Sequence, residues 1–343
     1  MKAQKKLKLA LVGTDSLRGN EIKNVLARKK LAAFEIEFYD PDVKEEYSKL
    51  SQFRKEPKVI HGLKEDSLEG KDLVFFASDR ETNRRLKSLA AKQGFLGIDL
   101  SETFNLDPGV PLLVAGVNDD ILDKESPSVI ANPHPVTIML SHLFHLILPR
   151  FGVLKAVATV LQPVSAFDDA GVQELASQSV SLLNGAAPSK KLFQEQIAFN
   201  ILSHTETLDA GGFCLHERQI VAETQRVLKQ PEFPLFLSII QAPIFHTYSL
   251  AAYCELENDA VLKDLEALFR QTPPFKMTDF RRACSATSIS VSGKDEIFVG
   301  RIKMEESSPR AVWIWLVADD LTRGSAVNAF EIAKKLLAVR TPR

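Results

Sequence analysis

Cysteine is scarce in this sequence, which contains only three among 343 residues. Cys214, Cys254 and Cys284 lie far apart, and no two of them form a C-x-x-C pair. An odd count without close pairs argues against a disulfide framework and against a thiolate zinc site. We interpret Cys254 as a packed strand residue and the other two as loop thiols, and we expect a reducing, cytoplasmic location.

The sequence also lacks an excess of charge of either sign. The chain has 43 Lys and Arg against 44 Asp and Glu, a formal net charge of −1. This balance gives no electrostatic basis for binding nucleic acid or an anionic membrane. No apolar run is long enough to span a bilayer, and the basic N-terminus precedes only a strand-length apolar run. We therefore expect no nucleic-acid partner, no membrane association and no signal peptide.

The composition that remains is that of a globular protein, with 45% hydrophobic and 25% charged residues. A chain of this length exceeds the size at which a single core stops growing, so we expect two domains. Strands and helices alternate between residues 7 and 131. This order predicts an α/β domain of the Rossmann type, a parallel sheet covered by helices on both faces.

The second half of the chain has a different pattern. Strand-like runs, one of them at 287–291, alternate with helices in a way that predicts an antiparallel α+β domain. The last predicted helix, 325–339, has an apolar stripe that we expect to pack on the first domain. The predicted domains are 1–131 with 319–343, and 132–318.

A glycine turn follows the first apolar strand, between Gly13 and Gly19, and precedes a helix. Such a turn suits a dinucleotide because glycine lets the backbone approach a pyrophosphate and the helix N-terminus attracts it. Ser16 stands where a middle glycine would help most, so cofactor binding is in doubt and an ordinary strand-to-helix turn remains open. The candidate cofactor residues of this turn and of a later strand end are Gly13, Asp15, Ser16, Leu17 and Ser78.

The second predicted strand ends at Asp40. An acidic residue at this place can bind the ribose hydroxyls of NAD, and its charge would repel the 2′-phosphate of NADP. A bound cofactor would then be NAD rather than NADP. Asp40 also opens the turn signal Asp-Pro-Asp, and both interpretations stay open.

A turn built on Asn132, Pro133, His134 and Pro135 joins a short strand to an apolar helix. A nucleophilic enzyme would place Cys or Ser at such a turn, whereas this chain has proline there. The helix carries His142 and His145 on one face. Two histidines can bind a metal, but no third ligand lies nearby in the sequence, so we favour packing and predict no metal site.

Segments over nearly the whole chain resemble aspartate-semialdehyde dehydrogenase, most specifically 293–302 and 318–333. The resemblance implies a Rossmann domain closed by the C-terminal helix, a dehydrogenase-type second domain and a homodimer made through that domain. In this family of amino-acid biosynthesis, a thiolate attacks an aldehyde, a histidine takes the proton, NADP accepts hydride and phosphate releases the acyl group.

The resemblance also locates the positions of the family's catalytic groups. The family's Asn-Cys pair falls on His134 and Pro135, its substrate-binding arginine on Gln241 and its catalytic histidine on Tyr248. Gln162, which the family uses near the thiol, is kept. Proline cannot form a thioester, and an amide cannot hold a carboxylate as a guanidinium does.

Three further positions of the resemblance are changed. Asn105 stands at a phosphate-binding arginine, Gln219 at a lysine and His216 at a glutamate. The pattern looks closest to the Usg-type paralogues of the family, which also lack the catalytic cysteine. We therefore predict no confident catalytic residue and no phosphorylating aldehyde dehydrogenase activity.

Two other functions remain open. One is an NAD-dependent oxidoreductase that transfers hydride directly to an aldehyde or oxo group, with Tyr248 or His246 as general acid. The other is a dimeric module that binds a protein or a metabolite.

Overall fold

The computed structural model describes residues 6–45, 49–124, 127–279 and 286–340. The strands are β1 (Leu7–Val12), β2 (Phe34–Asp40), β3 (Leu50–Phe53), β4 (Glu56–Gly62), β5 (Leu73–Phe76), β6 (Leu96–Asp99), β7 (Val129–Ala131), β8 (Lys155–Gln162), β9 (Leu235–Gln241), β10 (Tyr248–Glu255), β11 (Phe275–Met277), β12 (Ile297–Met304) and β13 (Ala311–Ala318). The helices are α1 (Leu17–Arg28), α2 (Arg80–Gln93), α3 (Ile121–Lys124), α4 (Pro135–Phe151), α5 (Asp168–Leu183), α6 (Leu215–Leu228), α7 (Leu262–Gln271), α8 (Ser288–Val291) and α9 (Asn328–Arg340).

The chain separates into two compact units. One contains the residues up to His134 and those from Ser325 on, and the other contains Pro135–Gly324. These boundaries lie a few residues from the domain bounds predicted from the sequence, which stay a prediction.

The first unit is built on a sheet with strand order β3-β4-β2-β1-β5-β6-β7. All neighbouring pairs except β3 and β4 run parallel. The inner strands are continuous apolar runs because both faces are covered. Leu9 and Ile22 belong to one core cluster with Ile332 of α9, so the last helix packs in this unit. The predicted Rossmann-type fold is confirmed.

The β3–β4 hairpin at the edge of this sheet is not predicted by the sequence pattern. Its two-residue turn consists of Arg54 and Lys55, which both have positive φ. Asn-Gly is the usual sequence signal for such a turn, because these residues tolerate left-handed backbone most easily. A turn made of arginine and lysine therefore carries no recognisable signal.

The second unit contains a mixed sheet with strand order β11-β12-β13-β10-β8-β9. Strands β8 and β9 run parallel, while β10 is antiparallel to both β8 and β13. Residues of one face, among them Ala156, Leu250 and Ile314, form the core with Leu140 of α4 and Ile220 of α6. The α+β second domain predicted from the sequence is confirmed, but its sheet is mixed rather than antiparallel, because β8–β9 and β11–β12 run parallel.

The strand predicted at 287–291 is wrong, because Ser288–Val291 forms the short helix α8. Thr287 caps this helix, since its Oγ1 accepts a hydrogen bond of 3.2 Å from the amide of Ser290. The run of β-branched residues misled the prediction, and the local hydroxyl–backbone bond decides in favour of the helix. In the part of the chain that the structure describes, no helix is both long and apolar enough to cross a membrane.

Candidate functional site

The turn before α4 holds a packed proline where a nucleophile would stand. Asn132 accepts a hydrogen bond of 2.8 Å from Nδ2 of Asn328 in the first unit, and His134 is buried. In the second unit, α4 begins at Pro135. A Cβ added to Gly324 would lie 2.6 Å from Cβ of Pro135, so the proline ring fills the space against this glycine. The position is occupied by hydrocarbon and offers no group that reacts with an aldehyde.

Three of the predicted site residues meet because three strands end or begin at one edge of the second sheet. Gln162 ends β8 and pairs with Gln241, which ends the parallel strand β9. Strand β10 begins at Tyr248 and runs antiparallel to β8, so its first residues lie at the same edge. The topology therefore brings together side chains that are distant in the sequence.

These three side chains form one hydrogen-bonded cluster, which we call the amide–tyrosine cluster. Nε2 of Gln162 donates to Oε1 of Gln241 over 3.0 Å, and the hydroxyl of Tyr248 donates to Oε1 of Gln162 over 3.3 Å. Nε2 of Gln241 donates to the backbone oxygens of Gln162 and Ala242. All three residues are at most 4% exposed. The cluster is uncharged, and its amide and hydroxyl groups satisfy one another.

The residue before the cluster has an unusual backbone. Thr247 has φ +85°, a region that a β-branched residue rarely adopts. Its amide donates to Oδ1 of Asp320 over 2.7 Å, and Oδ2 of the same carboxylate accepts from Ser165 over 2.7 Å. Burial, and then the neighbouring Asp319, raise the pKa of Asp320, while these hydrogen bonds lower it. The buried carboxylate thus holds the strained turn that leads into Tyr248.

A second polar group lies on α6. Glu223 is buried and accepts hydrogen bonds from Nε2 of Gln219 at 2.7 Å and from Oγ1 of Thr137 at 2.8 Å. His216 is hydrogen-bonded to Glu206. The positions where the resemblance expects a lysine and a glutamate are therefore used for contacts inside the protein.

The described thiols are not poised for nucleophilic chemistry. Burial raises the pKa of Cys214 to about 11 and that of Cys254 to about 12, so both remain protonated at neutral pH. Cys284 lies outside the described residues. His142 is buried, and desolvation followed by the charge of Arg323 lowers its pKa. Among the residues that the structure describes, no three metal-ligating side chains come together.

The glycine turn after β1 is tightly closed. Gly13 has φ +86°, and a Cβ there would lie 2.4 Å from the carbonyl carbon of Ala77. Oγ of Ser16 lies 2.9 Å from the oxygen of Gly13 and 2.8 Å from that of Ala77, and it accepts from the amide of Gly19. The Ser16 hydroxyl is therefore used inside the turn. In the first turn of α1, the amide of Gly19 donates to Oγ of Ser16 and the amide of Asn20 to the backbone oxygen of Ser16. The amide of Leu17 comes before these bonds, at the helix N-terminus, which attracts phosphate.

The candidate ribose-binding residue lies where the sequence places it, at the end of β2. Burial raises the pKa of Asp40, and the neighbouring Lys49 lowers it. Nζ of Lys49 lies 3.6 Å from Oδ2 of Asp40 and 2.7 Å from Oδ2 of Asp15. Ser78 begins the loop before α2, where its hydroxyl donates to Asp79. Lys49 is a site residue that the sequence pattern did not predict, because it precedes the unpredicted β3–β4 hairpin.

Comparison with known proteins identifies the family of both units. Residues 8–125 match the semialdehyde dehydrogenase NAD binding domain, and residues 146–323 match the semialdehyde dehydrogenase dimerisation domain. The chain belongs to the semialdehyde dehydrogenase family. This result confirms the family resemblance seen in the sequence.

Its similarity to other semialdehyde dehydrogenases extends over the whole chain. The aspartate-semialdehyde dehydrogenase of Aquifex aeolicus is 27% identical over 96% of this chain and 98% of its own. That of Prochlorococcus marinus is 26% identical over 96% of each chain. The crystal structure of aspartate semialdehyde dehydrogenase II from Vibrio cholerae, complexed with ASA, has a TM-score of 0.91 at 25% identity and covers 98% of this chain and 100% of its own.

The semialdehyde dehydrogenase family implies a nicotinamide cofactor, and the first unit has the parts that such a cofactor needs. The closed glycine turn and the first amides of α1 suit a pyrophosphate, and Asp40 suits a ribose. When bound, the nicotinamide supplies a hydride donor or acceptor. In the second unit, the cluster of Gln162, Gln241 and Tyr248 contains neither a cation nor a base to act on a substrate.

Proposed function

We propose that this protein is a semialdehyde dehydrogenase homologue, of the Usg type, that does not catalyse the phosphorylating oxidation of an aldehyde. The observation that supports this most strongly is the amide–tyrosine cluster of Gln162, Gln241 and Tyr248. The reaction needs a nucleophile, a base and a cation that holds the substrate. At the corresponding positions the chain has proline, a hydrogen-bonded phenol and a buried amide.

Direct hydride transfer with Tyr248 as general acid is less well supported. A phenol needs a neighbouring cation to lower its pKa towards neutrality. The hydroxyl of Tyr248 instead donates to the neutral amide of Gln162, and the residue is only 1% exposed. An aldehyde would first have to displace this hydrogen bond.

The proposal predicts that the purified protein does not reduce NAD or NADP in the presence of aspartate semialdehyde and phosphate. We expect the absorbance at 340 nm to rise no faster than with a heat-inactivated sample, because the acyl-enzyme cannot form. The Pro135→Cys variant should behave in the same way, since the substrate would still lack a binding cation and a base. The Vibrio cholerae aspartate semialdehyde dehydrogenase II serves as positive control, and protein-dependent reduction by the wild type would refute the proposal.

We further propose that the protein still binds a dinucleotide, with NAD favoured by Asp40, and works in the cytoplasm. The hydroxyl of Ser16 is compatible with binding, because its hydrogen bonds are made within the turn and it caps α1, whose N-terminus attracts phosphate. The buried free thiols Cys214 and Cys254 suit a reducing compartment.

The open face of the second sheet supports a homodimer. Phe236 pairs with Val157, Val157 with Tyr253, and Tyr253 with Trp313, so these four side chains form one row across β9, β8, β10 and β13. Three of them, Phe236, Val157 and Trp313, are between 36% and 51% exposed. An antiparallel sheet normally shows polar residues on its free face, and an apolar row there indicates a protein contact. We propose that a second copy of the chain covers this row.

A charge placed in the row should therefore separate the dimer. We expect Trp313→Glu to give a monomer in sedimentation equilibrium, because it removes a large apolar contact and buries a carboxylate against apolar side chains. Ile289→Glu is the matched control, since Ile289 is 93% exposed on α8, outside the row. A dimer that persists in Trp313→Glu, or that is lost equally in both variants, would contradict this interface.

A further inference from the structure

Four charged side chains lie close together beside the end of β2. Nζ of Lys49 contacts the carboxylates of Asp15 and Asp40, at 2.7 and 3.6 Å. Lys23 of α1 is buried, and its Nζ lies 2.6 Å from Oγ of Ser51. The charges of Asp15, Asp40 and Lys49 all act on Lys23, so the group is one electrostatic unit. The carboxylate of Asp42 also acts on Asp40, so three carboxylates are near two amines here.

The position of Lys49 is set by the fold. Its backbone oxygen accepts a hydrogen bond of 3.0 Å from the amide of Ile60 in β4. Strand β4 is the direct neighbour of β2, with Asp40 paired to Gly62. The main chain at Lys49 is therefore fixed beside the carboxyl end of β2. Its side chain is 42% exposed, so the amine is free to reorient on its flexible stem.

This arrangement changes what Asp40 can do to a cofactor. An isolated carboxylate at the end of the second strand accepts hydrogen bonds from ribose hydroxyls and repels a 2′-phosphate. Here an ammonium lies beside the carboxylate, and an ammonium is a common partner of phosphate groups. An ion pair as exposed as that of Lys49 with Asp15 is weak, so a phosphate can replace Asp15 readily.

We propose that Lys49 sets the cofactor preference of this protein and allows it to bind NADP as well as NAD. Asp40 accepts a hydrogen bond from the 2′-hydroxyl of NAD while Lys49 remains paired with Asp15. With NADP, the amine of Lys49 turns from Asp15 to the 2′-phosphate and offsets the repulsion from Asp40. This inference rests on the proposed dinucleotide binding and adds its specificity.

Calorimetric titration of the full-length protein with NAD and with NADP tests the proposal without any turnover. We expect the two dissociation constants of the wild type to differ by less than about tenfold. Lys49→Ala should raise the dissociation constant of NADP by at least about tenfold and that of NAD by less than about threefold, because only the 2′-phosphate loses its partner. Asp40→Asn should shift the preference the other way, towards NADP.

Lys58→Ala is the matched control, because Lys58 lies on β4, in the hairpin that follows Lys49, and pairs with Glu56. It removes one positive charge and should leave the ratio of the two constants unchanged. Thermal unfolding of each variant checks that the fold is intact. If both dinucleotides bind and Lys49→Ala leaves their ratio unchanged, the role of Lys49 is refuted while dinucleotide binding stands. If neither binds to the wild type, both proposals fail together.

Discussion

Replacing Gln241 by arginine is expected to destabilise the protein by about 3–5 kcal/mol, because an uncompensated charge would be buried. Gln241 is only 1% exposed and contacts an amide and backbone oxygens. A guanidinium there would lose its hydration and would meet no carboxylate of the amide–tyrosine cluster. The resemblance implies that working enzymes carry arginine at this position, so the family residue should be harmful in this chain.

The unfolding free energy in urea measures this effect. Gln241→Met is the matched variant, since it keeps a similar volume and removes only the hydrogen bonds. It should cost about 1–3 kcal/mol, because Nε2 of Gln162 loses its acceptor, while the backbone oxygen of Gln162 keeps only the amide of Ala242 as a donor. Gln52→Arg adds the same charge at an exposed site of β3 and should be nearly neutral. A Gln241→Arg protein as stable as the wild type would show that solvent reaches the cluster.

The proposed function also implies that one substitution does not create phosphorylating dehydrogenase activity. Pro135→Cys would supply a thiol, but the ring it removes is packed against Gly324. Gln241 would still donate to the backbone oxygen of Ala242, and Tyr248 would still donate to Gln162, rather than to a substrate. Gln241 and Tyr248 share Gln162 as a hydrogen-bond partner, so changes at these two positions are not expected to be additive. On the proposed function, the polar groups of the amide–tyrosine cluster stabilise the protein instead of acting on a substrate.

The sequence predicted the fold well where burial alone decides it. The apolar run at β1 and the alternating run at β8 are easy to recognise, because β1 is buried on both faces of its sheet and β8 on only one. The hairpin β3–β4 escaped because its turn uses Arg54 and Lys55, and with it Lys49 was missed. Periodicity describes one segment at a time and cannot show which side chains meet across the sheet.

The candidate site was predictable only as a set of positions. The resemblance identified Gln241 and Tyr248 as replacements and Gln162 as a residue that is kept, but it did not show what these side chains contact. Their mutual hydrogen bonds depend on the register of β8 against β9 and on the place where β10 begins. Register is a tertiary property, so the hydrogen bonds within this cluster could be identified only from the structure.

Gly19→Ala is expected to destabilise the first unit by about 3 kcal/mol, although helix propensity predicts the opposite sign. Gly19 lies in the first turn of α1, where alanine would normally gain up to about 1 kcal/mol over glycine. A Cβ at this position would lie 2.1 Å from the backbone oxygen of Gly13. That oxygen cannot move away easily, because the turn is closed by hydrogen bonds of Ser16 Oγ with the oxygen of Gly13 and the amide of Gly19.

The same overlap should abolish dinucleotide binding, since opening the turn moves the first amides of α1 away from the place of the pyrophosphate. Thermal unfolding and calorimetry with NAD measure the two effects on one sample. Gly109→Ala is the control, because its Cβ would meet only Oδ1 of Asp107, at 3.3 Å, and the midpoint should hardly change. If Gly19→Ala melted at or above the wild-type temperature, propensity would outweigh the contact. The turn would then be loose enough to accept a side chain, and its role as a pyrophosphate cradle would lose its structural basis.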